Sequence, residues 1–158
     1  MIRVQLQIGD GAIYDTYDKH GLVYISSDTI FSAPVKEMEK TSYPETDGEH
    51  IDTSVVFVSF DYKIQFFVNA SHGINNANQK IFDFNKKLLY IDEFGRRRVH
   101  KVVFYNDYKK VKIVGIPNPI QEATEFWRDS NGRAHDVVCV EWKIRVTNPD
   151  ECDFNLLT

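Results

Sequence analysis

Cysteine is scarce in this 158-residue chain: Cys139 and Cys152 are the only two, and neither belongs to a CxxC pair. The sequence therefore offers no CxxC redox or metal motif. A chain of this length does not need a disulfide for stability, and nothing in it points to an oxidising compartment. Cys139 lies in an apolar run and reads as a small buried hydrophobe. Cys152 stands between Glu151 and Asp153, whose charges would raise its pKa. Neither has the electropositive setting of a cysteine nucleophile. Long apolar runs are also missing, with none near the roughly 20 residues of a membrane helix. The start, Met1-Ile2-Arg3-Val4-Gln5, lacks the basic and apolar regions of a signal peptide. The expectation is a product made in the cytosol, with no membrane partner.

Excess basic charge is absent too. The formal net charge is -4, unlike the strongly basic footprint of a nucleic-acid binder, so no nucleic-acid partner is expected. The one basic cluster, Arg96-Arg97-Arg98, follows Gly95 and reads as a solvated turn. No GxSxG motif marks a serine nucleophile, and no glycine-rich phosphate loop is present. The histidines, His20, His50, His72, His100 and His135, show no i, i+4 or HxH spacing, so no metal site is expected. The run Asp47-Gly48-Glu49-His50-Ile51-Asp52 is acidic but lacks the EF-hand pattern, and reads as a charged loop. Asp15, Asp18 and His20 are neighbours in sequence without forming a catalytic constellation. No enzyme activity and no cofactor are expected.

What the chain does have is aromatic residues, 11 Phe and 8 Tyr, which favour pleated, half-buried surfaces. Residues 2–8 alternate Ile2, Val4, Leu6, Ile8 against Arg3, Gln5, Gln7, the period of a half-buried strand. Residues 22–25 and 29–31 are short strand candidates. Residues 34–52, with Pro34, Pro44, Gly48 and many charges, read as a long loop or inserted arm, of a length that tends to be functional or disordered. Residues 53–69 hold the strongest strand signal, with Phe60, Tyr62, Ile64, Phe66 and Val68 on one face. Residues 74–90 change period: Ile74, Ala77, Ile81, Phe84 and Leu88 form one helical stripe, with Asn75 and Asn76 as N-cap candidates. Residues 99–105 and 109–116 predict a hairpin around Asn106-Asp107. A strand over 122–128, an Asn131-Gly132 turn and a strand over 136–146 complete the pattern. The fold class is mainly β (α+β): an antiparallel β-sandwich or split barrel with one helix packed on the sheet, in a single domain spanning 1–158.

From residue 47 to 149 the order of elements resembles the N-terminal domain of phage distal tail proteins. The resemblance is carried by Asp47-Gly48, by Phe60-Asp61-Tyr62-Lys63-Ile64, and by the helix from Asn76 to Leu89. It continues through Val102-Val103-Phe104-Tyr105-Asn106-Asp107 into Lys110-Val111-Lys112-Ile113-Val114, and ends with the strand Val140 to Val146 running into Asn148-Pro149. Tyr43-Pro44-Glu45-Thr46-Asp47-Gly48 and Phe126-Trp127-Arg128 are similar to small tail-region proteins of phages and prophages of gut Bacteroidetes. The resemblance implies a β-sandwich with a helix and a homo-oligomeric ring, often of six subunits. It also implies other tail proteins as partners and a place in the virion tail. The second, carbohydrate-binding-like domain of many distal tail proteins has no counterpart in this sequence.

The expected function is thus a structural component of a phage-type tail. The expected subunit interface is the arm around Tyr43, Pro44, Glu45 and His50, together with the ends of the strand 55–68. The alternative is a monomeric ligand- or glycan-binding β module, for which Trp127 and Tyr43 are the exposed aromatic candidates and Trp142 is a core residue.

Overall fold

The computed structural model describes residues 1–36, 40–42, 49–51, 55–128 and 134–156. In chain order the elements are strands β1 (Gln5–Ile8) and β2 (Tyr14–Asp15), helix α1 (Thr16–His20), and strands β3 (Leu22–Ser27), β4 (Lys40–Ser42), β5 (Glu49–Ile51) and β6 (Phe60–Asn69). Then follow helix α2 (Ile74–Leu88) and strands β7 (Leu89–Ile91), β8 (Arg97–Val99), β9 (Val102–Asn106), β10 (Val111–Pro117), β11 (Ala123–Arg128) and β12 (Ala134–Val146). A 3-10 turn at Pro149–Glu151 follows the last strand.

The main sheet runs β2-β1-β9-β10-β12-β6-β3, with β11 pairing the same β12. All its pairings are antiparallel. Its two ends, β2 and β3, do not meet, so it is not a closed barrel. It folds over at β10, which gives residues 111–115 to β9 and Ile116 and Pro117 to β12. Gly115 sits at that corner, where an added Cβ would lie 2.4 Å from the Arg145 carbonyl oxygen. No larger residue allows the two backbones to come this close.

Alternation fixes which face is buried. Along β6, Phe60, Tyr62, Ile64, Phe66 and Val68 are buried while Asp61, Lys63 and Gln65 face out; along β12, Val138, Val140, Trp142, Ile144 and Val146 are buried. They meet Val4, Leu6, Val102, Phe104 and Ile113 from the other half of the folded sheet, Tyr62 lying 6.2 Å from Phe104 between ring centres. Helix α2 closes the remaining side with its predicted stripe: Ala77, Ile81, Phe84 and Leu88 are buried. Phe84 meets Trp142 edge-on at 5.2 Å and His20 at 4.9 Å. The result is a β-sandwich with one main helix packed on it.

Four local expectations are corrected. Residues 29–31 form no strand: after β3 the Asp28 carboxylate accepts the Lys63 N–H, the chain leaves the sheet, and Phe31 is 92% exposed. The N-cap of α2 is Gly73, at φ 109, and Asn75 and Asn76 lie inside the first turn. The long strand begins at Phe60, and residues 55–59 precede it as a separate segment. Cys139 is half-buried on the polar face of β12, because its position opposes the buried set Val138 and Val140.

Candidate functional site

Residues 34–36 and 56–58 are far apart in sequence and pair antiparallel. Val35 bridges Phe57, the Lys36 N–H donates to the Val56 carbonyl at 2.8 Å, and the Val58 N–H donates to the Pro34 carbonyl at 2.8 Å. Farther out, β4 and β5 pair in the register Lys40 to Ile51, Thr41 to His50 and Ser42 to Glu49. The described parts of the expected loop or arm are therefore paired strand. Five side chains of the inner ribbon are apolar and exposed, Val35, Val55, Val56, Phe57 and Val58, alongside exposed Lys36, and Phe31 lies beside them in sequence. Only one of the proposed interface residues, His50, falls in a described element, as the partner of Thr41 in the β4–β5 pair. Tyr43, Pro44 and Glu45 lie outside the described residues. The expected strand end at Val55–Val58 is indeed exposed.

A second surface comes from a hairpin that the sequence reading took for a solvated turn. Strands β7 and β8 pair in the register Leu89 to Val99, Tyr90 to Arg98 and Ile91 to Arg97. The turn is organised by one carboxylate. Asp92 Oδ1 accepts the N–H of Phe94 at 3.0 Å and of Arg96 at 2.8 Å, while Oδ2 accepts Arg96 Nε at 3.2 Å and Arg98 Nε at 2.9 Å. The Arg98 guanidinium, with Arg96 and the two backbone donors, holds the Asp92 carboxyl below the usual carboxylate range. Gly95, at φ 75, supplies the left-handed residue that this tight connection requires. Its two flanking apolar residues are bare: Ile91 is 71% and Phe94 72% exposed, and the Arg96 guanidinium lies over the Phe94 ring at 5.1 Å. The signal in sequence was Leu89-Tyr90-Ile91 and Arg97-Arg98-Val99 on either side of Asp92 and Gly95.

His20 is buried, its Nε2 2.8 Å from the Tyr14 hydroxyl; burial, reinforced by Lys19 and Lys87, lowers its pKa to about 4. Burial likewise pushes Tyr14 up to about 12. The Cys152 thiol is raised, first by burial and then by Glu151, against the lowering effect of the Val114 N–H that donates to its sulfur. His100 stacks on Tyr90 at 4.4 Å. Among the described residues no group of three His, Cys, Asp or Glu side chains is placed to hold a metal ion, and no helix is long and apolar enough to cross a membrane.

A groove of about 450 Å³ beside β11 and β12 is lined by Glu122, Thr124, Cys139, Glu141 and Lys143 among others, with no aromatic side chain among the described ones. A smaller cleft of about 380 Å³ has Tyr17, Tyr24 and Phe67 in its wall. Of the two aromatics expected for sugar binding, Trp127 lies in β11 opposite His135, next to a register shift, and Tyr43 lies outside the described residues.

No protein-family model and no curated protein matches the sequence. Among solved structures the chain is similar to the SPP1 Dit protein (gp 19.1), described as a paradigm of the hub adsorption apparatus in phages that infect Gram-positive bacteria. The TM-score is 0.48 and the identity 14%, over 89% of this chain and 49% of that one. The chain thus spans about half the length of the structure it matches.

Proposed function

We propose that the chain is a structural, non-enzymatic component of a phage-type tail that self-associates into a ring and joins neighbouring tail or baseplate proteins. The observation that carries the reading is the uncovered apolar ribbon of 34–36 and 55–58. A contiguous apolar strand surface left bare is a template for another chain, and proteins that do not use such a surface blunt it with charge or cover it. Here five exposed residues of the ribbon are Val or Phe, and the ribbon leads directly into β6, the strand paired along its whole length with β12. A neighbour seated there would be anchored to the most firmly paired part of the sandwich. The order of elements resembling distal tail N-terminal domains gives that assembly its setting.

Light scattering behind size exclusion, over a range of concentrations, tests the proposal. A ring-sized oligomer, stable or growing in with concentration, is the expected result. A strict monomer throughout, together with sugar binding that responds to changes at Tyr17 or Tyr24, would instead make the chain a ligand-binding module.

A further inference from the structure

A ring is built head to tail, so each subunit must offer two different patches that fit one another. The ribbon is one. We propose that the β7–β8 hairpin is the other, docking on the ribbon of a second copy of this chain; the inference rests on the assembly reading above.

Charge distribution selects the second copy as the occupant. Residues 86–101 hold six basic residues against two acidic ones, whereas the rest of the chain holds 13 basic against 21 acidic. The excess of acid is concentrated next to the ribbon in sequence: between residues 37 and 54 there are six acidic residues and one lysine. The hairpin and the arm of a neighbour are thus opposite in sign, which steers encounter and fixes orientation. Their apolar parts match as well. Ile91 stands opposite Arg97 on one face of the hairpin, Phe94 projects at the tip, and the ribbon presents Val35, Val56 and Phe57. Aromatic side chains and arginines are the residues that dominate interface energetics.

The hairpin is also built to dock without rearrangement. Asp92 ties both backbone and arginines in place, so little freedom is lost on binding. Arg96 and Arg98 reach Asp92 through Nε, and among the described residues no other acceptor takes their terminal nitrogens, which can meet an incoming carboxylate. Arg97 makes no such bond to Asp92 and lies on the face with Ile91.

The test uses two variants of the full chain. Phe94→Ser with Arg97→Glu disables the hairpin, and Val56→Asp with Phe57→Asp disables the ribbon; all four positions are exposed, so folding is checked by circular dichroism and expected unchanged. Each variant alone should be monomeric where the unaltered chain is oligomeric, with association weakened on the order of a hundredfold or more. Mixed in equal amounts, the two should form a species of twice the chain mass and stop there, since each mixture retains one intact hairpin facing one intact ribbon. Raising the salt concentration should weaken the unaltered oligomer. If the unaltered chain oligomerises and the hairpin variant does so equally, the hairpin assignment is wrong while the assembly reading stands. Loss of binding to anionic vesicles with the oligomer intact would assign the arginines to a lipid surface and overturn the proposal in the same way. A monomeric unaltered chain would remove both.

Discussion

Phe84 and Phe94 are ten positions apart and meet opposite fates. Phe84 is wholly buried, wedged edge-on between Trp142 and His20, while Phe94 is 72% exposed under an arginine. The difference lies in what each is attached to. Phe84 belongs to a fifteen-residue helix whose stripe repeats every three or four positions, so several side chains commit to the core together. Phe94 belongs to a turn fixed by a carboxylate and a glycine, and that local chemistry would hold its shape whether or not the ring were covered. One aromatic is explained by the fold of this chain; the other is left by that fold at the surface, where the proposed contact would use it.

The sharpest way to break the comparison is to truncate both. Phe84→Ala should lower unfolding stability by about 3–5 kcal/mol, the usual result of removing a fully buried aromatic ring, measured by denaturant titration. Phe94→Ala should shift it by no more than about 0.5 kcal/mol, as at ordinary surface positions. Equal losses would mean that Phe94 is held by this chain after all.

That split also describes what the sequence made legible. The elements with a period were readable: the alternation in β6 and β12 and the stripe of α2 each involve five or so residues pointing one way. Helix α1 was missed because its five residues are too few for a period. Its signals are an Asp15 side chain accepting the Tyr17 and Asp18 N–H groups and Gly21 at φ 70 closing it. The β7–β8 hairpin was missed because its strands have three residues each and its turn is defined by Asp92 contacts, which a reading of hydropathy does not register. The ribbon was half seen: the exposed end of the long strand was anticipated, but pairing between 34–36 and 56–58 crosses a stretch of charged sequence with no pattern linking the two. The buried reading of Cys139 failed because it followed the apolar run, whereas the alternation over 136–146 sets Cys139 with Glu141, Lys143 and Arg145, the face on which the structure places it.

Acid gives the next largest effect, and between pH 6.5 and about 4 it acts through His20, on the Phe84 side. His20 is held neutral by burial with a folded pKa of about 4, against 6.5 when unfolded. Above pH 6.5 both states are neutral and the stability is at its full value. As pH falls below 6.5 the unfolded chain takes up the proton first, so stability declines through the window down to about 4. At about 1.4 kcal/mol per unit, the loss by pH 5 is about 2 kcal/mol. Asp92 and Glu151, whose pKa values are depressed by Arg98 and Lys101, release their contributions only in a lower window, as pH falls through the carboxylate range. Denaturant titrations at pH 7.5 and pH 5 check this, with His20→Asn expected to flatten the profile between them.

The smallest effect on global stability should come from Asp92→Ala, and it is the most informative about the hairpin. Four hydrogen bonds converge on this carboxylate, two from backbone and two from arginine side chains. They close a turn that carries none of the core, since Ile91, Phe94 and Arg96 are all exposed. Removing them should leave the unfolding midpoint of the sandwich nearly unchanged. Amide hydrogen exchange at Phe94 and Arg96 should meanwhile quicken on the order of tenfold or more, because local opening is governed by local bonds. In the proposed oligomer the same substitution should weaken association, as a hairpin that must be ordered on docking binds more weakly than one already shaped. If exchange across β6 and β12 quickens along with the hairpin, the turn is coupled to the core and the separation between the two phenylalanines fails. If it quickens in the hairpin alone, the exposed ring and its arginines form a unit whose shape is set by local bonds and not by the core, as the docking proposal requires.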